Sequence, residues 1–325
     1  MSWRATDNLR CYIQDALLPE MRLPPSARNI DLRHALDVQL QRCRRLKAIH
    51  RLDLSSFNEY VSSWTEHHIP CVSLGVEDED STSGERFSIP CPPYFDVPVL
   101  PLFRPKHVNG LLMWMDHYPL ESLRRALHLL YPETKSWQFV YDNMGADRTV
   151  FRSLTWSENT QDQGHKLSYR SITVYVLPPW VLSAADIEQF AAHQPFPSTA
   201  RGSDTCPTTG QQRLWGKLWD SCVSKDCPWF VISTYTHWVF GVFSEGWTAA
   251  FVSPVYSYDS HDPSVLEVLI FWFASAMGLP GGWQVPEVRI EPAYPRLQLT
   301  AVARDILAAG PPKALALSAI RYPGS

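Results

Sequence analysis

Between Pro228 and Met277 the apolar residues fall first in short β-branched and aromatic blocks, then in one long run. Residues 230–234 and 237–243 are two such blocks, and the link between them is too short for anything but a tight turn. The pair therefore predicts a β-hairpin. Gly246 marks a further turn, and 247–252 predicts a third strand. Asp262-Pro263-Ser264 then opens a helix, since proline is tolerated in a first turn and Ser264 with Glu267 has capping-box spacing. The helix predicted over 265–277 is apolar almost all round, which requires burial. A sheet with this helix laid on it is the expected centre of the fold.

The earlier chain reads as helical up to about residue 70. Residues 9–18 form a short amphipathic stretch stopped by Pro19. Residues 31–49 carry Leu32, Leu36, Leu40, Leu46 and Ile49 at roughly helical spacing, and a third helix is predicted over 55–64. The run 77–85 predicts an exposed acidic loop, and 90–105 is proline-rich extended chain unsuited to a central strand. Next, 120–131 predicts an amphipathic helix, 137–141 and 148–154 predict strands about a turn at 143–145, and 157–165 reads as a polar turn. Residues 171–177 predict a strand ended by Pro178 and Pro179. Ser183 and Asp186 open a helix to Ala192, 195–210 is a loop, and 211–223 is a helix with Leu214, Trp215, Leu218 and Cys222 on one face. An edge strand over 288–290 and a helix over 299–309 complete the reading. The pattern gives an α/β (α+β) fold: a helical N-terminal region (1–75), an acidic then proline-rich linker (76–106), a core domain with a mixed sheet flanked by helices (107–283), and a tail (284–325).

Composition narrows the chemistry. The 325 residues suffice for one large or two ordinary domains. A net charge of −4 gives no general reason to expect nucleic-acid or anionic-membrane binding. Seven cysteines, an odd number without close pairing, suggest reduced thiols and a cytoplasmic or nuclear protein. Cys222 and Cys227 are the nearest pair, and a zinc site needs a second pair or spaced histidines, so no metal is expected there. No run approaches the about 20 apolar residues of a membrane span.

Candidate binding residues are few. Arg42, Arg44, Arg45 and Lys47 lie on the helix predicted over 31–49, either as a solvated face or as a surface for phosphate or an acidic partner. Among the aromatics near the hairpin, Trp238 and Trp247, with Tyr235, Tyr256 and Tyr258, are candidates for a stacking surface, although strand alternation assigns half of such a set to the core. No nucleophile elbow, zinc-binding His pair, P-loop or dinucleotide fingerprint is present.

From Leu120 onward the order is helix, strand, turn, strand, strand, helix, helix, hairpin, with Asp147 heading one strand in Ala146-Asp147-Arg148-Thr149-Val150-Phe151. Over roughly 115–250 this resembles the PD-(D/E)XK, restriction-endonuclease-like superfamily. The resemblance implies a restriction-endonuclease-like core with an acid at the head of the second strand and acid-x-Lys on the next. In Ile172-Thr173-Val174-Tyr175-Val176-Leu177 those two positions hold Tyr175 and Leu177. The implied site is then degenerate: Asp147, Glu121 on the preceding helix, and Tyr175. Nuclease chemistry of this type needs Mg²⁺ held by two carboxylates. The expectation is a pseudoenzyme without cofactor that binds a protein or nucleic acid. The alternatives are an enzyme with a rebuilt site, either a Mg²⁺-dependent nuclease with migrated carboxylates or a small-molecule enzyme, for which Asp142, Asp147 and Glu158 are the acids best placed and Lys166 the nearest amine, and a structural or assembly protein. Segments 172–187 and 233–253 also resemble stretches of uncharacterised proteins of mushroom-forming fungi, a likeness that implies no function.

Overall fold

A computed structural model describes residues 8–23, 36, 38, 45–74, 77, 79–91, 104–142, 148–158, 169–192, 194–195 and 209–288. In chain order these give α1 (Leu9–Asp15), β1 (Ala48–Arg51), α2 (Leu54–His68), α3 (Val108–Met115), a π-helical stretch (Asp116–Leu120) and α4 (Glu121–Leu130). A 3₁₀ turn (Pro132–Ser136) leads to β2 (Trp137–Asp142), β3 (Arg152–Glu158), β4 (Arg170–Val176), α5 (Ala184–Phe190), β5 (Gln194–Pro195) and α6 (Gly210–Lys225). Last come β6 (Trp229–Ser233), β7 (His237–Phe243), β8 (Ala249–Val252), β9 (Tyr256–Ser257) and α7 (Val265–Ala276).

The strands join in one mixed sheet in the order β2-β3-β4-β6-β7-β8-β1-β5, with β9 added to the start of β7. β2, β3 and β4 run antiparallel to one another, β4 and β6 are parallel, β6, β7 and β8 form an antiparallel meander, and β1 lies parallel to β8. The crossover from β4 to β6 carries α5 and α6 on one face. There Tyr175, Leu177, Phe230, Ile232 and Val239 pack with Phe190, Leu214, Trp215 and Leu218. The alternate residues Ile172, Val174, Val176, Val231 and Phe240 face α1, α2, α3, α4 and α7. Period-two alternation through buried strands thus divides the core into two layers, and the sheet is the middle of three.

The hairpin, the central placement of β4 and the buried last helix are as the pattern predicts. Ser264 caps α7 by accepting from Glu267 N–H, and every residue from Val265 to Ser275 is buried. Elsewhere the structure corrects the reading. Ala48–Arg51 is a strand and not the end of a helix, because Lys47 N–H bonds Thr248 O at 2.7 Å and β8 supplies the next ladder. Residues 148–150 form a turn, and the strand expected at 148–154 is Arg152–Glu158. Its polar end, Ser157 and Glu158, reads as turn in isolation but is fixed by pairing with Gln138 and Trp137. α3 has no counterpart among the predicted elements, and the π-helical stretch that follows it absorbs Pro119. Residues 81–84 are exposed, as an acidic loop should be, yet Asp80 and Glu85 on either side are tied to α4. The predictions for 289–290 and 299–309 lie outside the described residues.

Candidate functional site

Cross-strand register places Asp142 (β2), Ser153 (β3), Tyr175 (β4) and Ile232 (β6) in one row, side by side on the α6 face of the sheet. This row contains the position where the resemblance puts the acid of its acid-x-Lys pair. Above it stands the last turn of α6. Asp226 caps that helix in the left-handed conformation, which Asp tolerates better than most residues, and Cys227 N–H bonds Cys222 O at 3.0 Å. The turn drives the chain down into β6 and aims Lys225 back over the row.

Lys225 Nζ donates to Ser153 Oγ at 2.8 Å, lies 3.3 Å from Asp142 Oδ2, and sits 5.3 Å from the centroid of the Tyr175 ring. Its side chain is 11% exposed and that of Asp142 30%, so the pair is largely withdrawn from water. Beneath it Tyr175 is fully buried, its hydroxyl donating to Ser221 Oγ at 2.9 Å with Cys222 Sγ at 3.4 Å. Burial raises the Tyr175 phenol well above its ordinary value. It also raises the Cys222 thiol far above the usual range and pushes Cys227 up to about 11. None of these groups is a nucleophile near neutral pH. Leu177 is fully buried among apolar neighbours.

These residues do not fit a magnesium ion. Hard cations take several oxygen ligands with carboxylates among them, and the row supplies one carboxylate with an ammonium beside it. Among the described residues no group of three or more His, Cys, Asp or Glu is placed to hold a metal. Asp147 lies outside the described residues, as do Lys166, Arg42 and Arg44. Glu121 is not part of the row. It opens α4 on the opposite face of the sheet, pairs with Arg124 and accepts from Arg86 N–H at 3.4 Å, whereas Tyr175 belongs to the α6 layer.

Glu121 belongs to a second charged cluster, which fastens residues 80–86 to α4. Asp80 pairs with Arg125 at 3.1 Å, Glu85 meets His128 Nδ1 at 2.8 Å, and Arg124 lies 3.6 Å from Glu85. Burial opposes ionisation of Glu85, but the His128 contact and the two arginines outweigh it and hold its carboxyl below the ordinary value. Opposite charges match one another here, so the cluster works as a clamp. The other expected binding residues disperse. Arg45 and Lys47 are exposed but lead into a strand, so they do not form a helical stripe. Trp238 and Trp247 are both buried: Trp238 donates to Tyr235 O at 2.8 Å, and Trp247 packs against Trp219 and Phe243. Tyr235 and Tyr256 are buried too, so these aromatics form core and no stacking surface.

Sequence reasoning missed Lys225. Its contact with Ser153 spans 72 residues, and nothing local marks it apart from the cysteines on either side. No family model, curated protein or solved structure matches this chain.

Proposed function

We propose that the chain is a catalytically inactive domain of nuclease-like build that binds another protein. The observation that carries this reading is the Lys225 ammonium, set 3.3 Å from the Asp142 carboxylate and 2.8 Å from Ser153 Oγ over a buried Tyr175. A positive charge belonging to the chain stands beside the one acid of the row, where a nuclease needs a second acid and a hydrated metal. Packing also fills the site, because Tyr175 and Leu177 take up the space that substrate and water would need. The element order from α4 to β7 is compatible with the nuclease resemblance.

A protein partner is favoured over nucleic acid by charge and by exposed apolar groups. The arginines of α4 are neutralised by Asp80, Glu85 and Glu121, leaving no basic face there. Met113, Val140, Tyr141, Leu54 and Tyr60 are large, apolar and exposed. The test is incubation of the purified chain with single- and double-stranded DNA and RNA in Mg²⁺ or Mn²⁺, together with binding of the same nucleic acids at low salt. No cleavage and no salt-sensitive binding is the expected result. Cleavage abolished by Asp142→Asn or Asp147→Ala would make the chain an enzyme with a rebuilt site instead.

A further inference from the structure

The last turn of α6 ends in a left-handed cap with two nested bonds. Asp226 is the left-handed residue, its N–H bonds Val223 O at 3.1 Å, and Cys227 N–H bonds Cys222 O at 3.0 Å. In a cap of this pattern the outer bond joins the two positions whose side chains touch across the turn, and here both are cysteine. Standard bond lengths on either side of the 3.0 Å contact keep the two Cα atoms inside about 7 Å. Bends at nitrogen and oxygen bring them into the about 4.4–6.8 Å span that a disulfide takes. The two sulfurs also lie over one stretch of strand. Cys222 Sγ is 3.4 Å from the Tyr175 hydroxyl and Cys227 Sγ accepts from Thr173 Oγ1 at 3.7 Å, and Thr173 and Tyr175 alternate on β4 and so share a face. Both cysteines are free and buried, but the turn above them is at the surface, with Ser224 and Asp226 exposed.

We propose that Cys222 and Cys227 are a redox pair that closes reversibly to a disulfide and locks the end of α6. In the closed turn neither thiol reacts. Helix ends open at far lower cost than the whole fold, and in the open turn burial no longer opposes ionisation of the thiols. The oxidant is a small disulfide of the glutathione class. One cysteine thiolate attacks it, forming a mixed disulfide and expelling one small thiolate. The thiolate of the other cysteine then attacks the sulfur of the first and expels the second small thiolate. The chain is oxidised by two electrons, the small disulfide is reduced to two thiols, and the two cysteine protons end on those thiols. The loop closed by the new bond, 222–227, carries Lys225, so the turn that holds the ammonium over Asp142 can no longer unwind. A reducing thiol reverses both steps. The pairing does not depend on the nuclease-like reading.

The test is to incubate the folded full chain with oxidised glutathione at neutral pH, alkylate the remaining thiols and map the tryptic peptides by mass spectrometry. Cleavage after Lys225 separates the two cysteines, so their cross-link is read as one joined species that a reductant splits. Hydrogen exchange supplies the second readout: amides of 222–227 should exchange more slowly in the oxidised chain than in the reduced one. Cys222→Ser should leave Cys227 as a mixed disulfide with glutathione and show no such slowing. Thiols at 222 and 227 that stay unlinked in the folded parent overturn the proposal, as does a cross-link from either of them to another cysteine. A Cys222–Cys227 bond that leaves exchange in the turn unchanged overturns the lock. Should Cys222→Ser fail to fold, the peptide map and the exchange of the parent decide alone.

Discussion

Replacing Lys225 by Met removes the ammonium but keeps an apolar stem over the Tyr175 ring, which isolates the electrostatic part of the candidate site. Breaking one partner of a fully buried ion pair costs about 3–5 kcal/mol because the other charge is left unpaired. An exposed pair is worth about 0–1 kcal/mol. With side chains 11% and 30% exposed, the Lys225–Asp142 pair falls between these limits. The single substitution should therefore cost about 2 kcal/mol, allowing for solvent reaching Asp142. Asp142→Asn should cost somewhat less, since Ser153 Oγ, 3.5 Å from Asp142 Oδ2, can still bond an amide. The double variant should lose less than the sum of the two, with a coupling of about 1–2 kcal/mol. Urea unfolding of the parent, both singles and the double, followed by tryptophan fluorescence, measures all four corners of the cycle. Additive costs, or a Lys225→Met variant as stable as the parent, would refute the claim that the ammonium satisfies the acid of the row.

Two further outcomes follow from the core and from a buried acid. Leu269→Ala in α7 deletes a fully buried side chain and should lower stability by about 2–5 kcal/mol; an unchanged denaturation midpoint would show that α7 is not packed as described. Glu267 is buried at the start of the same helix, and burial raises its pKa above the ordinary glutamate value. The folded chain then holds a proton that the unfolded chain has lost. This group's contribution therefore falls as pH rises from the unfolded value up through the raised folded one. Glu267→Gln should flatten that decline and stabilise the protein at neutral pH relative to the parent, as read from melting temperatures at a series of pH values. A parallel pH profile in the variant would contradict it.

How much could be read from the chain alone depended on where each element takes its stability. α7, α6 and the β6–β7 hairpin are specified locally: apolar periodicity, the capping residue Ser264, and a turn too short for alternatives. β1 and the polar end of β3 depend on strands far away in the chain, and neither has a local pattern that outweighs helix or turn propensity. The exposure of aromatics was equally illegible. Alternation along β7 says that half its side chains face each way, but both faces of this sheet are covered by helices, so Trp238 is buried whichever way it points. Of the candidate site, Tyr175 and Leu177 were visible as departures from a motif, whereas the cation opposite Asp142 comes from a helix end that only the tertiary fold brings there.

Divalent-metal binding tests the central claim most directly. Titration of the full chain with Mn²⁺, followed by calorimetry and by the loss of free-ion electron paramagnetic resonance, should show no stoichiometric site, because the Lys225 ammonium stands beside the single carboxylate of the row. One tightly bound ion that is lost in Asp142→Asn would contradict it and place a metal centre where the chain's own cation has been put.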